Sequence, residues 1–244
     1  MSSAMRSVRS EVVRSLAPTG TLRAAISIAN PVLVQFNAEA DRMSGITPDL
    51  AQALAHRLGV PLNLVAIDHP AKCLEAVKTG ACDIGFLAVE ASRTADIDFT
   101  APYILIEGVY AVSAQGPLQV NSDVDCAGVR VAVKMGTAYE LFLTRSLKAA
   151  TLYPTEDPFD VFEREGLEAI AGLRQAVARF AATRPGVRLL PRGFMEIPHA
   201  MCLPKGRTTG AAYLHAFVEE MKASQFVAEA IRRAGQEATV APPA

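Results

Sequence analysis

Residues 84–103 read Ile84-Gly-Phe-Leu-Ala-Val89, then Glu90-Ala91, then Ser92-Arg-Thr-Ala-Asp-Ile-Asp-Phe-Thr-Ala-Pro-Tyr103. The first run is short, apolar and free of charge, which predicts a strand buried on both faces. Arg93 comes just beyond this strand, and open α/β sheets bind ligands beyond the carboxyl ends of their strands. An arginine there presents a fixed fork of donors that matches a carboxylate or phosphate. The alternative is a surface arginine paired with Glu90 or Asp96.

The composition predicts a well-packed protein. Its 244 residues suit one large domain or two smaller ones, and 50% hydrophobic with 20% charged residues indicates a real core. The net charge of −1 gives no sign of nucleic acid or an anionic membrane as partner. The absence of tryptophan also disfavours stacking platforms for bases.

Four cysteines are present, and none forms a C-x-x-C pair or stands near two histidines at metal-ligand spacing. We therefore expect them to be small buried hydrophobes in a reducing compartment. The chain has no P-loop and no nucleophile-elbow pattern. We expect neither a metal nor a cofactor. The cysteines are Cys73, Cys82, Cys126 and Cys202.

The N-terminal segment, Met1 to Leu16, has three arginines but no apolar run of the kind found in secretory signals. The spacing of Val8, Val12, Val13 and Leu16 predicts a short amphipathic helix instead. No stretch approaches the roughly 20 apolar residues of a transmembrane helix. The sequence as written thus predicts a soluble, cytoplasmic protein without membrane insertion; a removed leader would make it periplasmic.

The first half alternates strand and helix patterns, which predicts a parallel sheet. Thr47-Pro48-Asp49 indicates a helix start with threonine as the cap. Asn30 follows the first strand, where either a ligand contact or turn chemistry suits an asparagine. The predicted elements are strands Leu22–Ile28 and Leu62–Ile67, a polar loop Asn37–Ser44, a helix ending at Gly59, and a helix from Pro70 to Gly80.

The second half restarts the α/β pattern after a long apolar run, Ile104–Val112, and a polar linker. The strand Val129–Val133 leads through a glycine turn into a helix that begins with Thr137. Unpaired N–H groups and the helix dipole make such a turn an anion site. Further predictions are a helix from Asp157-Pro158, strand-like runs Val187–Leu190 and His199–Leu203, helices between Gly210 and Gly235, and a loose tail, Glu237–Ala244.

In this order the elements resemble the extracellular solute-binding proteins of family 3, the polar amino acid binders. The resemblance rests on four segments: Gly45–Gly59, Gly80–Gly85, Arg93–Tyr103 and Val131–Glu140. It implies an α/β, two-lobed type II periplasmic-binding-protein fold, with two parallel-rich sheets joined by two crossing strands and closing on a ligand by hinge motion. The expected lobes are residues 1–108 with 199–244, and residues 109–198.

The family's ligand-carboxylate arginine falls on Arg93, and its second-lobe anion turn falls on residues 136–138. The aspartate that pairs with the ligand's amino group is missing: Gln175 stands there, beside Arg174. We therefore expect a small carboxylate that need not be an α-amino acid, although Glu90 could supply the missing charge from the first lobe. The expected ligand-binding residues are Asn30, Leu87, Ala88, Glu90, Arg93, Lys134, Thr137, Ala138, Tyr139 and Gln175.

The resemblance implies a solute-binding protein for a small carboxylate or amino acid-like ligand, with an ABC transporter permease as possible partner. The alternative is a lyase on the same fold, similar to the cyclohexadienyl dehydratases. That chemistry needs a general acid, for which Glu90, Glu140 and Glu196 are the candidates. Of the histidines, only His199 is near enough to a crossing strand to approach the cleft. We favour a binding protein over an enzyme.

Overall fold

The computed structural model describes residues 8–40 and 42–244. Residues 1–7 of the predicted N-terminal segment and Asp41 of the predicted polar loop lie outside the described residues. The chain divides into two compact units, Met1–Ile104 with Pro198–Ala244 (unit 1) and Leu105–Ile197 (unit 2). The lobe boundaries expected from the sequence, after residues 108 and 198, stay a prediction.

The elements follow the alternation expected from the sequence. Up to the first change of unit they are α1 (Ser10–Leu16), β1 (Leu22–Ser27), β2 (Gln35–Asn37), β3 (Arg42–Ser44), α2 (Ile46–Leu58), β4 (Leu62–Ile67), α3 (Pro70–Lys78), β5 (Ile84–Ala88), a 3₁₀ turn (Ala91–Arg93) and the long β6 (Ile97–Ser113). Next come α4 (Asn121–Val124), β7 (Arg130–Lys134), α5 (Ala138–Ser146), β8 (Thr151–Thr155), α6 (Pro158–Arg164), β9 (Ala169–Leu173), α7 (Arg174–Ala182), β10 (Val187–Leu189) and β11 (Met195–Pro204). The chain ends with α8 (Thr208–Ala223), α9 (Phe226–Arg233) and β12 (Thr239–Val240).

Unit 1 is built on a strand order of β4-β1-β5-β11. Strand β1 pairs in parallel with both β4 and β5, and β11 pairs antiparallel with β5. All five residues of β5 are buried, as expected for a strand with both faces covered. The parallel arrangement places the carboxyl ends of β1 and β5 at one edge, where the segments with Asn30 and Arg93 begin.

Unit 2 repeats this plan. Strand β7 pairs in parallel with β8 and β9, and β6 pairs antiparallel with β9 and β10. One face of the sheet packs against α6 and α7 through a cluster that includes Val109, Ile170, Phe162 and Phe180. The carboxyl ends of β7 and β9 therefore lie side by side, and the turn before α5 and the first residues of α7 follow them.

Each unit carries an equivalent arginine–carboxylate ion pair at the amino ends of its parallel strands. In unit 1, Arg23 Nη2 lies 2.8 Å from Asp83 Oδ1, and Arg23 also donates to the Gly80 carbonyl oxygen at 2.9 Å. In unit 2, Arg130 Nη2 lies 2.8 Å from Glu168 Oε1 and donates to the Gly166 carbonyl oxygen at 2.7 Å. These two amino-end ion pairs fix the start of one strand to the start of its neighbour.

Two local predictions in unit 1 were wrong. The polar loop Asn37–Ser44 overlaps a hairpin, in which β2 pairs antiparallel with β3. Thr47 does not cap α2: the N-cap is Gly45 with φ at +121°, and the Thr47 hydroxyl donates to the Leu33 carbonyl oxygen at 3.4 Å. Thr47 is buried, so its hydroxyl satisfies a carbonyl of the hairpin's entry instead of the helix end.

Other differences come from long-range pairing. Strand β6 begins at Ile97, well before the apolar run Ile104–Val112 that predicted a crossing strand. Strand β8 was not predicted, because it contains an exposed proline. The tail is not loose, because the Ala241 N–H donates to the Tyr103 carbonyl oxygen at 3.2 Å and Ala241 is buried. Three cysteines are buried as expected, but Cys126 is exposed.

Candidate functional site

Unit 1 gathers five polar or chemically useful residues at the carboxyl edge of its sheet: Asn30, Ala88, Glu90, Arg93 and His199. Asn30 follows β1, and Glu90 and Arg93 follow β5. His199 lies on β11 directly opposite Ala88 of β5. We call this set the unit 1 carboxyl-edge site. The sequence predicted Asn30, Ala88, Glu90 and Arg93 as ligand-binding residues. It predicted His199 only as the histidine that could approach the cleft.

Arg93 is buried, with 5% of its surface exposed. It closes the 3₁₀ turn that follows β5, and its Nη1 donates to the Ala88 carbonyl oxygen at 3.1 Å. Burial lowers the pKa of the Arg93 guanidinium below its ordinary value, and the charge of Glu90 acts in the opposite direction. An arginine pKa starts so high that the group stays cationic at physiological pH. The edge of unit 1 therefore holds a fixed, largely dehydrated positive charge.

Glu90 caps the turn that carries Arg93. Its Oε1 accepts from the Ala91 N–H at 3.1 Å, and its carbonyl oxygen accepts from the Arg93 N–H at 2.9 Å. Glu90 is 7% exposed, which is rare for a glutamate. The turn thus holds a buried carboxylate three residues before a buried guanidinium.

Asn30 and His199 form a second contact at this edge. The Asn30 Oδ1 accepts from the Val32 N–H at 3.1 Å, so the carboxamide orientation is fixed and its Nδ2 is the atom facing His199. Asn30 Nδ2 lies 3.4 Å from His199 Nε2. Because an amide nitrogen only donates, His199 Nε2 must accept, which selects the imidazole protonated on Nδ1.

The two β5 residues in the expected set face opposite ways. Leu87 belongs to the apolar cluster around Cys73 and Cys202, so its side chain serves the core. Ala88 alternates to the other face and shares it with His199, its partner across the ladder. Ala88 therefore offers the site a small side chain and a carbonyl oxygen that Arg93 binds.

In unit 2, the turn between β7 and α5 is stabilised by Thr137 and Glu140. The Thr137 hydroxyl donates to the Lys134 carbonyl oxygen at 2.8 Å and accepts from the Glu140 N–H at 3.2 Å, which makes Thr137 the helix cap. Glu140 Oε2 in turn accepts from the Gly136 N–H at 3.3 Å. A carboxylate of the chain itself therefore already binds one N–H of the predicted anion turn.

Three further expected residues lie around this turn. Ala138 and Tyr139 begin α5 and are buried, and burial raises the pKa of Tyr139 to about 12. Lys134 ends β7, and its Nζ donates to the Glu156 carbonyl oxygen at 3.0 Å, in the loop after β8. The backbone thus brings Thr137, Ala138 and Tyr139 together, while the Lys134 ammonium reaches toward a neighbouring loop.

Gln175 lies in the first turn of α7. Its neighbour Arg174 forms an ion pair with Glu107 of β6 through Arg174 Nε and Glu107 Oε2. Glu107 Oε1 also accepts from the Gly193 N–H at 2.8 Å. The Arg174 hydrogen bond holds the pKa of Glu107 below its ordinary range. Sequence reasoning missed Glu107, and its isolation within a long apolar run was the available signal.

The candidate acids of the lyase alternative have different surroundings. Glu140 binds the Gly136 N–H and accepts from the Thr144 hydroxyl at 2.8 Å. Glu196 is exposed on β11, whereas Glu90 is buried beside Arg93. Among residues 8–40 and 42–244, no group of three histidine, cysteine or acidic side chains could hold a metal ion. Within that same part of the chain, no helix is both long and apolar enough to cross a membrane.

A sequence model of the bacterial extracellular solute-binding proteins, family 3, matches residues 22–236. The chain therefore belongs to the bacterial extracellular solute-binding proteins of family 3, and the predicted family and solute-binding class are confirmed. A search of curated proteins finds no match.

Solved structures share the fold. A protein from Wolinella succinogenes, assigned as a binding component of an ABC transporter and complexed with lysine, superposes with a TM-score of 0.76 at 19% identity, covering 88% of this chain and 95% of that one. The amino acid ABC transporter substrate-binding protein AbpA from Streptococcus pneumoniae, bound to L-arginine, superposes with a TM-score of 0.75 at 18% identity, covering 91% of this chain and 97% of that one. The ancestral amino acid-binding protein AncCDT-1, a precursor of cyclohexadienyl dehydratase, superposes with a TM-score of 0.74 at 20% identity, covering 91% of this chain and 98% of that one. The expected α/β fold of the type II binding proteins is confirmed.

Proposed function

We propose that this protein binds a small carboxylate or amino acid-like solute and that Arg93 holds the ligand's carboxylate. The observation that carries the proposal is a buried guanidinium at the carboxyl edge of a parallel sheet. Such a group favours a planar anion, and the low water content around it strengthens the contact. The complexes of similar folds with lysine and L-arginine support a ligand of this class.

The other expected residues have defined parts in this proposal. In unit 1, Asn30, Glu90 and Ala88 shape the surroundings of Arg93. In unit 2, the turn with Thr137, Ala138 and Tyr139 offers polar backbone at a helix start, and Lys134 and Gln175 follow neighbouring strands. An ABC transporter permease is the proposed partner, supported by the transporter proteins among the similar structures.

The experiment is calorimetric titration of the purified protein with the 20 common L-amino acids and with amine-free carboxylates of matching size. We expect at least one compound to bind, and Arg93→Gln to weaken its binding by at least about 100-fold. Loss of two charge-assisted hydrogen bonds at roughly 1.5–3 kcal/mol each sets that scale. Arg42→Gln, at an exposed arginine of the same unit, is the matched control and should leave binding unchanged.

Circular dichroism must show that Arg93→Gln is folded, because Arg93 is buried. If the folded variant binds as tightly as the parent, Arg93 does not hold the carboxylate and the proposal is wrong. The recovered ligand should be unchanged by mass spectrometry. Conversion of prephenate or arogenate, abolished by Glu90→Gln, Glu140→Gln or Glu196→Gln, would instead establish the lyase alternative.

A further inference from the structure

Strand β4 ends the sheet of unit 1 and has a free edge. In the strand order of the described residues it stands at one end, next to β1, with which it pairs in parallel. The Ile28 N–H donates to the Ile67 carbonyl oxygen at 2.9 Å, so Ile67 directs its backbone groups toward β1. Successive residues of a strand direct their backbone groups alternately toward and away from one partner. The N–H and C=O groups of Leu62, Leu64 and Ala66 therefore point away from β1.

The corresponding edge strand of unit 2 is protected against further pairing. Strand β8 ends the strand order next to β7, and the Met135 N–H donates to the Thr155 carbonyl oxygen at 3.0 Å. Thr155 thus faces β7, and its neighbour Pro154 faces the free edge, where it offers no N–H. Proline and charged residues are common means of blocking strand addition at an edge. Strand β4, Leu62–Ile67, contains neither, so its edge stays open.

A groove of about 570 Å³ lies along this open edge. Residues 63–66 of β4 line one wall, and Arg42 and Met43 of the hairpin strand β3 line the other. Strand β3 belongs to a separate two-stranded sheet with β2, so β3 and β4 are not paired with each other. The groove therefore has strand backbone on one side, a hairpin on the other, and room for an extended segment between them.

The charge of the groove favours one kind of segment. Arg42 is exposed, and it is the charged side chain among the described residues that line the groove. An acidic side chain on an incoming strand would be attracted to this guanidinium, whereas a basic one would be repelled. A second copy of this chain, paired through its own β4 about a two-fold axis, would bring another Arg42 to the same place. Like charges would then meet, so an acidic segment of a different protein suits the groove better.

We propose that the open edge of β4 is a docking site for an extended acidic segment of a partner protein, which adds to the sheet of unit 1 as a further strand. Main-chain hydrogen bonds to Leu62, Leu64 and Ala66 hold the segment, and Arg42 selects its acidic side chain. None of the described residues that line the groove belongs to the unit 1 carboxyl-edge site. The docking site is therefore separate from the proposed solute-binding function.

The probes are two blocked peptides, acetyl-Thr-Val-Thr-Glu-Thr-Val-Thr-amide and the same peptide with lysine in place of glutamate. Nuclear magnetic resonance of the isotope-labelled protein follows peptide binding and amide hydrogen exchange together. In the free protein, the amides of Leu62, Leu64 and Ala66 should exchange fast and those of Asn63 and Val65 slowly. Saturation with the glutamate peptide should slow exchange of the three outward amides by about 10-fold or more.

Three variants test the two elements of the site. Leu64→Pro removes an outward donor and should abolish binding of the glutamate peptide. Leu152→Pro is the matched control, because Leu152 faces the free edge of β8, and it should leave binding unchanged. Arg42→Glu leaves the strand intact and should reverse the peptide preference, from about fivefold for the glutamate peptide to about fivefold for the lysine peptide.

Circular dichroism must show that Leu64→Pro is folded, and Arg42→Glu tests the site even if it is not. Failure of the parent to bind the glutamate peptide would overturn the proposal, as would unchanged binding by folded Leu64→Pro. An unchanged peptide preference in Arg42→Glu, or loss of binding in Leu152→Pro as well, would also overturn it. Analytical ultracentrifugation should find a monomeric parent, whereas a dimer that Leu64→Pro dissociates would show that a second copy occupies the edge and would refute a partner segment.

Discussion

Replacing Asp83 by asparagine should destabilise the protein far more than replacing Glu168 by glutamine. Both carboxylates form the amino-end ion pair of their unit, and both substitutions remove one charge while keeping the shape of the side chain. The two pairs differ in burial: the Asp83 side chain is 0% exposed, whereas the Glu168 side chain is 36% exposed. The comparison therefore tests the effect of burial together with one additional contact, since Asp83 also accepts from Arg207.

The magnitude follows from the contacts. Asp83 accepts from the Arg23 backbone N–H at 3.1 Å, from Arg23 Nε at 2.9 Å and from Arg207 Nη1 at 3.2 Å, in addition to the 2.8 Å contact with Arg23 Nη2. Removing one partner of a buried charge network lowers the free energy of unfolding by about 3–5 kcal/mol. The Glu168 pair is screened by water, so its loss should cost about 1 kcal/mol or less.

The assay is thermal unfolding of the parent and both variants at pH 7, followed by circular dichroism. At roughly 2–4 °C per kcal/mol for a protein of this size, Asp83→Asn should lower Tm by about 6–20 °C and Glu168→Gln by no more than about 4 °C. Equal shifts for the two variants would refute the argument that burial decides the strength of these pairs. A fall of less than about 2 °C for Asp83→Asn would refute it as well.

Two further predictions concern backbone and pH. Gly45→Ala should lower the free energy of unfolding by about 3 kcal/mol, because φ is +121° and an added Cβ would lie 2.9 Å from the Leu33 carbonyl oxygen. Gly59→Ala should lower the free energy of unfolding by only about 1 kcal/mol, because φ is +69° and an added Cβ would meet no atom within contact distance. Urea unfolding of the two variants measures both values, and a similar cost at both positions would contradict the steric reasoning. The Arg174 hydrogen bond lowers the pKa of Glu107 from its ordinary 4.5. The pair therefore contributes its full stabilisation above about pH 4.5 and loses it as the pH falls through the folded-state pKa. The difference in unfolding free energy between the parent and Glu107→Gln should therefore shrink between pH 5 and pH 3, and a difference that is constant over this range would show that ionisation of Glu107 contributes nothing.

The sequence predicted the repeating elements well because their signals are local. The apolar run that became β5, the proline at the start of α3 and the cap at Thr137 each specify structure within a few residues. The misses depend on distant partners. Strand β8 is exposed and contains Pro154, and only its parallel pairing with β7 makes it a strand. Nothing in the tail itself indicates that Ala241 is bound to the Tyr103 backbone.

The candidate site was predicted unevenly for the same reason. Position relative to strand ends is readable in the sequence, so Asn30 and Arg93 were placed at the carboxyl edge. Which side chains face each other across strands is not readable. His199 reaches the site only because β11 pairs with β5 in the register that sets it opposite Ala88. The pairing of Glu107 with Arg174 likewise depends on contact across 67 positions of the chain.

The two ends of the unit 1 sheet hold buried charges for different reasons, and the geometry separates them. Asp83 precedes β5 and accepts from arginine donors of β1 and of the start of α8, so its charge is compensated by two elements of the fold. Arg93 follows the same strand, and its guanidinium donates to a backbone oxygen next to a single turn that carries Glu90. Compensation by several fixed arginine donors suits a structural role, whereas a buried guanidinium just beyond the carboxyl end of a parallel strand lies where open α/β sheets bind ligands. A buried charge in this protein should therefore be assigned to stability or to binding by the strand end at which it lies, with position 83 as the stability case and position 93 as the binding case.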